Sequence, residues 1–149
     1  MTNVTPFHLA LGVHDLAAAR AFYGGVLACV EGRSSDSWID FNFYGHQIVT
    51  HLVSDRATHA GEGHVDGVAV PIPHFGLMMT LQDFHELADR IRSAGVTFLI
   101  EPRVRYPGKM SEQSTMFLLD PSDNALEFKA YTHPEYTFVK EQVAQNARG

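Results

Sequence analysis

Cysteine is nearly absent: Cys29 is the only one in 149 residues, which excludes an internal disulfide and a cysteine-ligated zinc site. Positive charge is in deficit, with 11 Lys and Arg against 17 Asp and Glu for a formal net charge of −6, so no overall positive field draws nucleic acid or an anionic lipid surface. Long apolar runs are missing too. The least polar stretch, 68–81, is uncharged but broken by Pro71, Pro73 and His74, and it falls short of the roughly 20 apolar residues a bilayer requires. No membrane span and no nucleic-acid partner are expected. The opening Met1-Thr-Asn-Val-Thr-Pro6 has neither a basic nor an apolar signal region, so a cytoplasmic location is expected. What remains is a composition 45% hydrophobic and 19% charged, that of a folded domain, with an unusual nine histidines.

The apolar pattern runs twice through one arrangement. Phe7 to Val13 reads as a strand, Asp15 has the chemistry of a helix N-cap, and Leu16, Ala19, Phe22, Tyr23 and Val26 recur at helical spacing. Ala28 to Glu31 follows, then Trp38 to Tyr44 with a period of two, Gly45 as a turn, and Gln47 to Val53. Residues 54–73, rich in Gly, Pro, Asp and His, read as a linker whose later part, 68–72, is extended. The pattern then restarts. His74 to Thr80 is a strand, and a helix opens at Gln82-Asp83, carries Phe84, Leu87, Ala88 and Ile91, and ends near Gly95. Val96 to Ile100 is a strand, 101–113 a long polar loop, Ser114 to Leu119 a strand, 120–124 a tight turn, and Ala125 to Tyr131 the last strand. His8 precedes Asp15 by seven residues and His74 precedes Asp83 by nine, which favours a duplicated βαβββ unit. The expected organisation is one domain over 1–149: a first unit over 5–53, a linker over 54–73, a second unit over 74–131 and a tail over 132–149.

Two segments carry a family resemblance: Phe7-His-Leu-Ala-Leu-Gly-Val-His-Asp-Leu-Ala-Ala-Ala-Arg-Ala-Phe-Tyr23 and Leu119-Asp-Pro-Ser-Asp-Asn-Ala-Leu-Glu-Phe128. With the paired units, the chain over about residues 5–131 resembles the vicinal oxygen chelate superfamily, which includes glyoxalase I, fosfomycin-resistance enzymes, extradiol dioxygenases and metal-free bleomycin-binding proteins. The resemblance implies an α+β fold in which two βαβββ units form an open, cupped mixed sheet around a metal site. It also implies ligands on the first and last strands of both units, and those places hold His8, His51, His74 and Glu127.

Three imidazoles and a carboxylate suit one divalent ion, Fe, Mn, Ni, Co or Zn, and leave one or two positions for water or substrate. Each residue also has a plainer explanation. A lone strand histidine is as readily a satisfied rim residue, and Glu127 shares a strand face with Lys129, an alternative partner. His51 is open to two roles, metal ligand or proton carrier, and with Glu127 makes the expected catalytic pair. His14, His46 and His85 fall at turn or helix positions and read as solvated, whereas His59 and His64 lie in the linker, placed to close over a ligand. Arg103, Arg105 and Lys109 give a loop fit to anchor a carboxylate or phosphonate, or simply a solvated charged loop.

The expected function is a metal-dependent enzyme, a lyase or isomerase or a dioxygenase, acting on a small molecule through two vicinal oxygens. The alternative is a small-molecule or drug binding protein, metal-free or with a structural metal. Ring-cleaving relatives carry a tyrosine ten residues before the carboxylate, where this chain has Phe117. A homodimer is expected, because open sheets leave edge strands to cover, with the tail 132–149 on the partner or across the cavity mouth.

Overall fold

The computed structural model describes residues 3–55 and 59–140. The chain divides into two compact units, the first comprising 1–59 with 119–124 and the second 60–118 with 125–149. In the first, β1 (His8–Val13) leads into α1 (Leu16–Ala19), which continues as a π-helix over Arg20–Val26 and is followed by β2 (Val30–Ser34), β3 (Trp38–Phe43) and β4 (His46–Leu52). The strands lie in the order β1-β4-β3-β2, with β1 parallel to β4 and the remaining pairs antiparallel.

Alternation explains the sheet. Ile39, Phe41, Phe43 and Ile48 are buried on the face that meets Phe22, Tyr23 and Leu27 of the helical segment. Asp15 caps α1 by accepting from the Ala18 N–H at 3.0 Å, as its position predicts. The segment 119–124 completes this unit. Asp120, almost fully buried, accepts from the Tyr23 hydroxyl at 2.7 Å and from the Ser122 and Asn124 amides, while Asn124 Nδ2 donates to the Gly12 carbonyl.

The second unit opens with a hairpin, β5 (Gly61–Val65) and β6 (Val68–Ile72), in the stretch whose composition reads as a linker. Val65 and Val70 pack on Ile100 and Phe117, which gives the hairpin its own apolar anchor. Then come β7 (His74–Met78), α2 (Leu81–Ser93), β8 (Phe98–Arg105), β9 (Gln113–Leu119) and β10 (Ala125–Tyr131), ordered β7-β10-β9-β8 with β7 parallel to β10. Element for element, this is the order of the first sheet. The fold is thus the expected α+β class with two βαβββ units, and the sheets close no barrel.

Phe84, Leu87, Ala88 and Ile91 form the buried stripe of α2, and Leu126, Phe128 and Ala130 are buried on β10. Thr80 rather than Gln82-Asp83 caps α2: its hydroxyl accepts from the Asp83 N–H and donates to the Asp83 carboxylate. The predicted loop 101–113 shrinks to 106–112, because β8 runs on through Pro102 to Arg105. Arg103 and Arg105 therefore stand on a strand, and Asp66 of the hairpin turn lies 3.7 and 3.1 Å from them. Of the tail 132–149, residues 134–136 form a 3-10 turn, and 141–149 lie outside the described residues.

Candidate metal centre

His74 opens β7 and Glu127 stands in the middle of β10, and the parallel register sets Glu127 beside Gly76, two residues on from His74. Strand alternation aims both side chains to one face, while Leu126 and Phe128 go fully buried on the other. His74 Nε2 lies 3.3 Å from Glu127 Oε2. The other atoms of both groups are committed: His74 Nδ1 sits 2.7 Å from the Pro71 carbonyl, and Glu127 Oε1 accepts from the Thr115 hydroxyl at 2.8 Å with Lys129 Nζ at 3.5 Å.

The Pro71 carbonyl only accepts, so His74 donates through Nδ1 and a neutral ring presents a bare lone pair at Nε2. That lone pair faces a carboxylate oxygen. Two acceptors at this distance repel unless a cation, a proton or a metal ion, lies between them. A cavity of about 250 Å³ opens at the pair, walled by His74, Gly76, Met78, Glu127 and Lys129. The Lys129 contact foreseen as the plain alternative is present as well, on the carboxylate oxygen that does not face His74.

In the first unit His8 opens β1 opposite Gln47 of β4, and its Nδ1 meets Gln47 Oε1 at 2.7 Å. Gln47 Nε2 in turn donates to Asp40 Oδ2 at 3.4 Å. His51 is exposed on the same face, opposite Gly12 and Trp38. Its position differs from the expected equivalence with Glu127. Counting from the strand residue beside each leading histidine, Glu127 is two places beyond Ala125, and the residue two places beyond Gln47 is Val49. His51 lies one strand repeat further along. Among the described residues, no three His, Cys, Asp or Glu side chains gather into a metal-binding group.

Of the other six histidines, His133 precedes the 3-10 turn at 134–136, and five are placed as follows. His14 and His85 are exposed, and His46 Nδ1 accepts from the Phe7 N–H at 2.9 Å. His64 is exposed on β5, and His59 reaches the Asp123 carbonyl at 2.8 Å, which ties it to the turn that completes the first unit. Three site residues escape a reading of the sequence. Thr115 holds the carboxylate and Gln47 holds His8, but nothing in their immediate neighbours marks either. Gly76 shares a strand face with His74, and a Cβ there would collide with the Glu127 backbone carbonyl.

Comparison with known proteins agrees with the fold. Residues 5–128 match the family described as the glyoxalase/bleomycin resistance protein/dioxygenase superfamily. The chain is similar to a glyoxalase/bleomycin resistance protein/dioxygenase from Alicyclobacillus acidocaldarius, at 31% identity and a TM-score of 0.77 over 93% of this chain and 100% of that one. It shares its fold with the fosfomycin resistance protein FosX of Listeria monocytogenes (19% identity, TM-score 0.66, 89% and 95% covered). A glyoxalase/dioxygenase from Nostoc punctiforme is likewise similar in fold (17%, 0.64, 85% and 90%). No curated protein matches the chain significantly.

Proposed function

The chain belongs to the glyoxalase/bleomycin resistance protein/dioxygenase superfamily, and from that premise we propose that it is a metal-dependent enzyme acting on a small molecule through two vicinal oxygens. The observation that supports this most is the His74–Glu127 pair, two acceptors 3.3 Å apart at a cavity wall with His74 Nδ1 and Glu127 Oε1 engaged elsewhere. His8, His74 and Glu127 would hold the ion; two imidazoles and one carboxylate suit Fe, Mn, Co, Ni or Zn and leave positions for two substrate oxygens. A bound divalent ion supplies Lewis acidity to negative charge developing on those oxygens.

The chain's own residues supply the rest. Thr115 and Lys129 hold Glu127 Oε1 and leave Oε2 turned toward the cavity, where it binds or takes a proton. His51 we assign to proton transfer. Its place one strand repeat beyond the Glu127 equivalent supports that role over the fourth-ligand role. A homodimer remains part of the proposal, and sedimentation at tens of micromolar protein is its test.

Elemental analysis of protein purified without chelator tests the main proposal. About one divalent ion per chain is expected, and H74A and E127Q should each lose it while retaining the wild-type circular dichroism spectrum. Iron would direct the assignment to oxygen chemistry, and nickel, cobalt or zinc to lyase or isomerase chemistry. Purified protein that takes up no ion, even when titrated with each metal, would overturn the enzyme reading in favour of a small-molecule binding protein.

A further inference from the structure

The His8 side chain ends a chain of polar contacts on one face of the first sheet. His8 Nδ1 meets Gln47 Oε1 at 2.7 Å, Gln47 Nε2 meets Asp40 Oδ2 at 3.4 Å, and Arg33 Nε lies 3.5 Å from the same Asp40 oxygen. The ladder explains the alignment: His8 pairs with Gln47 across β1 and β4, and Asp40, opposite Val49, is one diagonal step away on β3. Asp40 is 8% exposed, a carboxylate mostly withdrawn from water that needs donors.

Direction follows from chemistry. A carboxylate only accepts, so Gln47 must turn its amide nitrogen toward Asp40 and its carbonyl toward His8. An amide carbonyl also only accepts, so His8 must donate through Nδ1, and in the neutral ring Nε2 is left without a proton. A free histidine ring favours the opposite arrangement, with the proton on Nε2. We propose that Gln47 and Asp40 are positioning residues that fix His8 in the Nδ1–H tautomer and so keep its Nε2 lone pair open for coordination; the coordination half of this rests on the metal-binding function proposed above.

The second unit reaches the same state by a different route, with the Pro71 carbonyl in place of a side-chain amide. Two leading histidines, held by unrelated partners, thus present the same nitrogen. Outer partners of this kind characteristically fix the tautomer and orientation of a ligating histidine. Gln47 lacks a second orientation that serves both neighbours: reversed, its oxygen would face the Asp40 carboxylate.

The experiment uses the full-length protein in two measurements. Nitrogen-15 NMR of the metal-free protein at about pH 8.5, above the ordinary imidazole pKa of about 6.5, reads the tautomer of His8 directly. Wild type is expected to carry the proton on Nδ1. Gln47→Leu should move it to Nε2, Asp40→Asn should give a mixture because the amide is freed to reverse, and Gln47→Glu, still an acceptor, should retain Nδ1–H. Calorimetric titration with zinc then reads the consequence, with an affinity loss of about 10- to 100-fold expected in Q47L and a smaller loss in Q47E.

A wild-type His8 protonated on Nε2, or a tautomer unmoved by Q47L, overturns the proposal. So does an unchanged zinc affinity in Q47L when H8A weakens binding. If H8A itself leaves zinc affinity unchanged, the assignment of His8 as a ligand fails instead, and the tautomer measurement decides the role of Gln47 and Asp40 alone.

Discussion

Gly76 lies opposite Glu127 in the β7–β10 ladder, and among the described residues it is the one glycine where an added Cβ would strike a neighbouring strand's backbone outright. Any side chain there pushes β10 away from β7 and carries the Glu127 carboxylate with it. Gly76→Ala should therefore cost about 3 kcal/mol in urea unfolding, and it should also weaken metal uptake. Gly25→Ala, with open space around the new methyl group, should cost little or nothing.

Tyr23 gives a second prediction at this scale. Its hydroxyl is fully buried on Asp120, and burial first, then the charge of Asp120, holds its pKa well above the usual value. The folded state consequently keeps this proton at a pH where the unfolded chain has lost it. Its contribution to stability is complete below about pH 10 and is lost as pH rises toward the folded-state pKa. Tyr23→Phe should cost about 1–2 kcal/mol at neutral pH, and it should remove the decline in stability above pH 10 that comes from this group.

At the scale of elements, the hairpin β5–β6 turns on Asp66 and Gly67, both with positive φ. An Asp-Gly pair with two positive φ values is the tight hairpin turn whose twist matches its strands. Gly67→Ala should cost about 1–2 kcal/mol locally. Amide exchange in 61–72 should accelerate as a result, with exchange in β10 unchanged; equal acceleration in both would contradict a hairpin with its own anchor.

The turn signal was present in the sequence, bracketed by Val65 and Val68, but the glycines and histidine of 61–64 gave the segment the composition of a linker. β8 was truncated for a similar reason. Pro102 reads as a strand breaker, yet β8 is the last strand of its sheet, and an edge strand tolerates a missing N–H. The strands that carry His8, His74 and Glu127 are legible as short, largely apolar runs set off by turn and helix signals. Register was not legible. Nothing in the sequence distinguishes Val49 from His51 as the counterpart of Glu127, since both lie on the same face of β4 and only the pairing with β1 separates them. The π-helical widening at Arg20–Val26 also leaves no mark on the apolar spacing, because it depends on how the helix seats on the sheet.

At the scale of the whole molecule, the duplication was readable from order alone, and both sheets repeat it strand for strand. The assignment of residues 119–124 to the first unit has a consequence for how the protein is made. Tyr23 and Asp120 are 97 residues apart in sequence, so an N-terminal half ending at His59 buries a phenol with no acceptor and lacks the bridges to His14 and Gly12. Such a fragment should melt without a cooperative transition, and co-expression with 60–149 should restore one. During synthesis the first half to leave the ribosome then finishes barely ahead of the second: its core waits, open, until Asn124 has emerged, just before β10 completes the other sheet, and the nascent chain needs shelter for that interval.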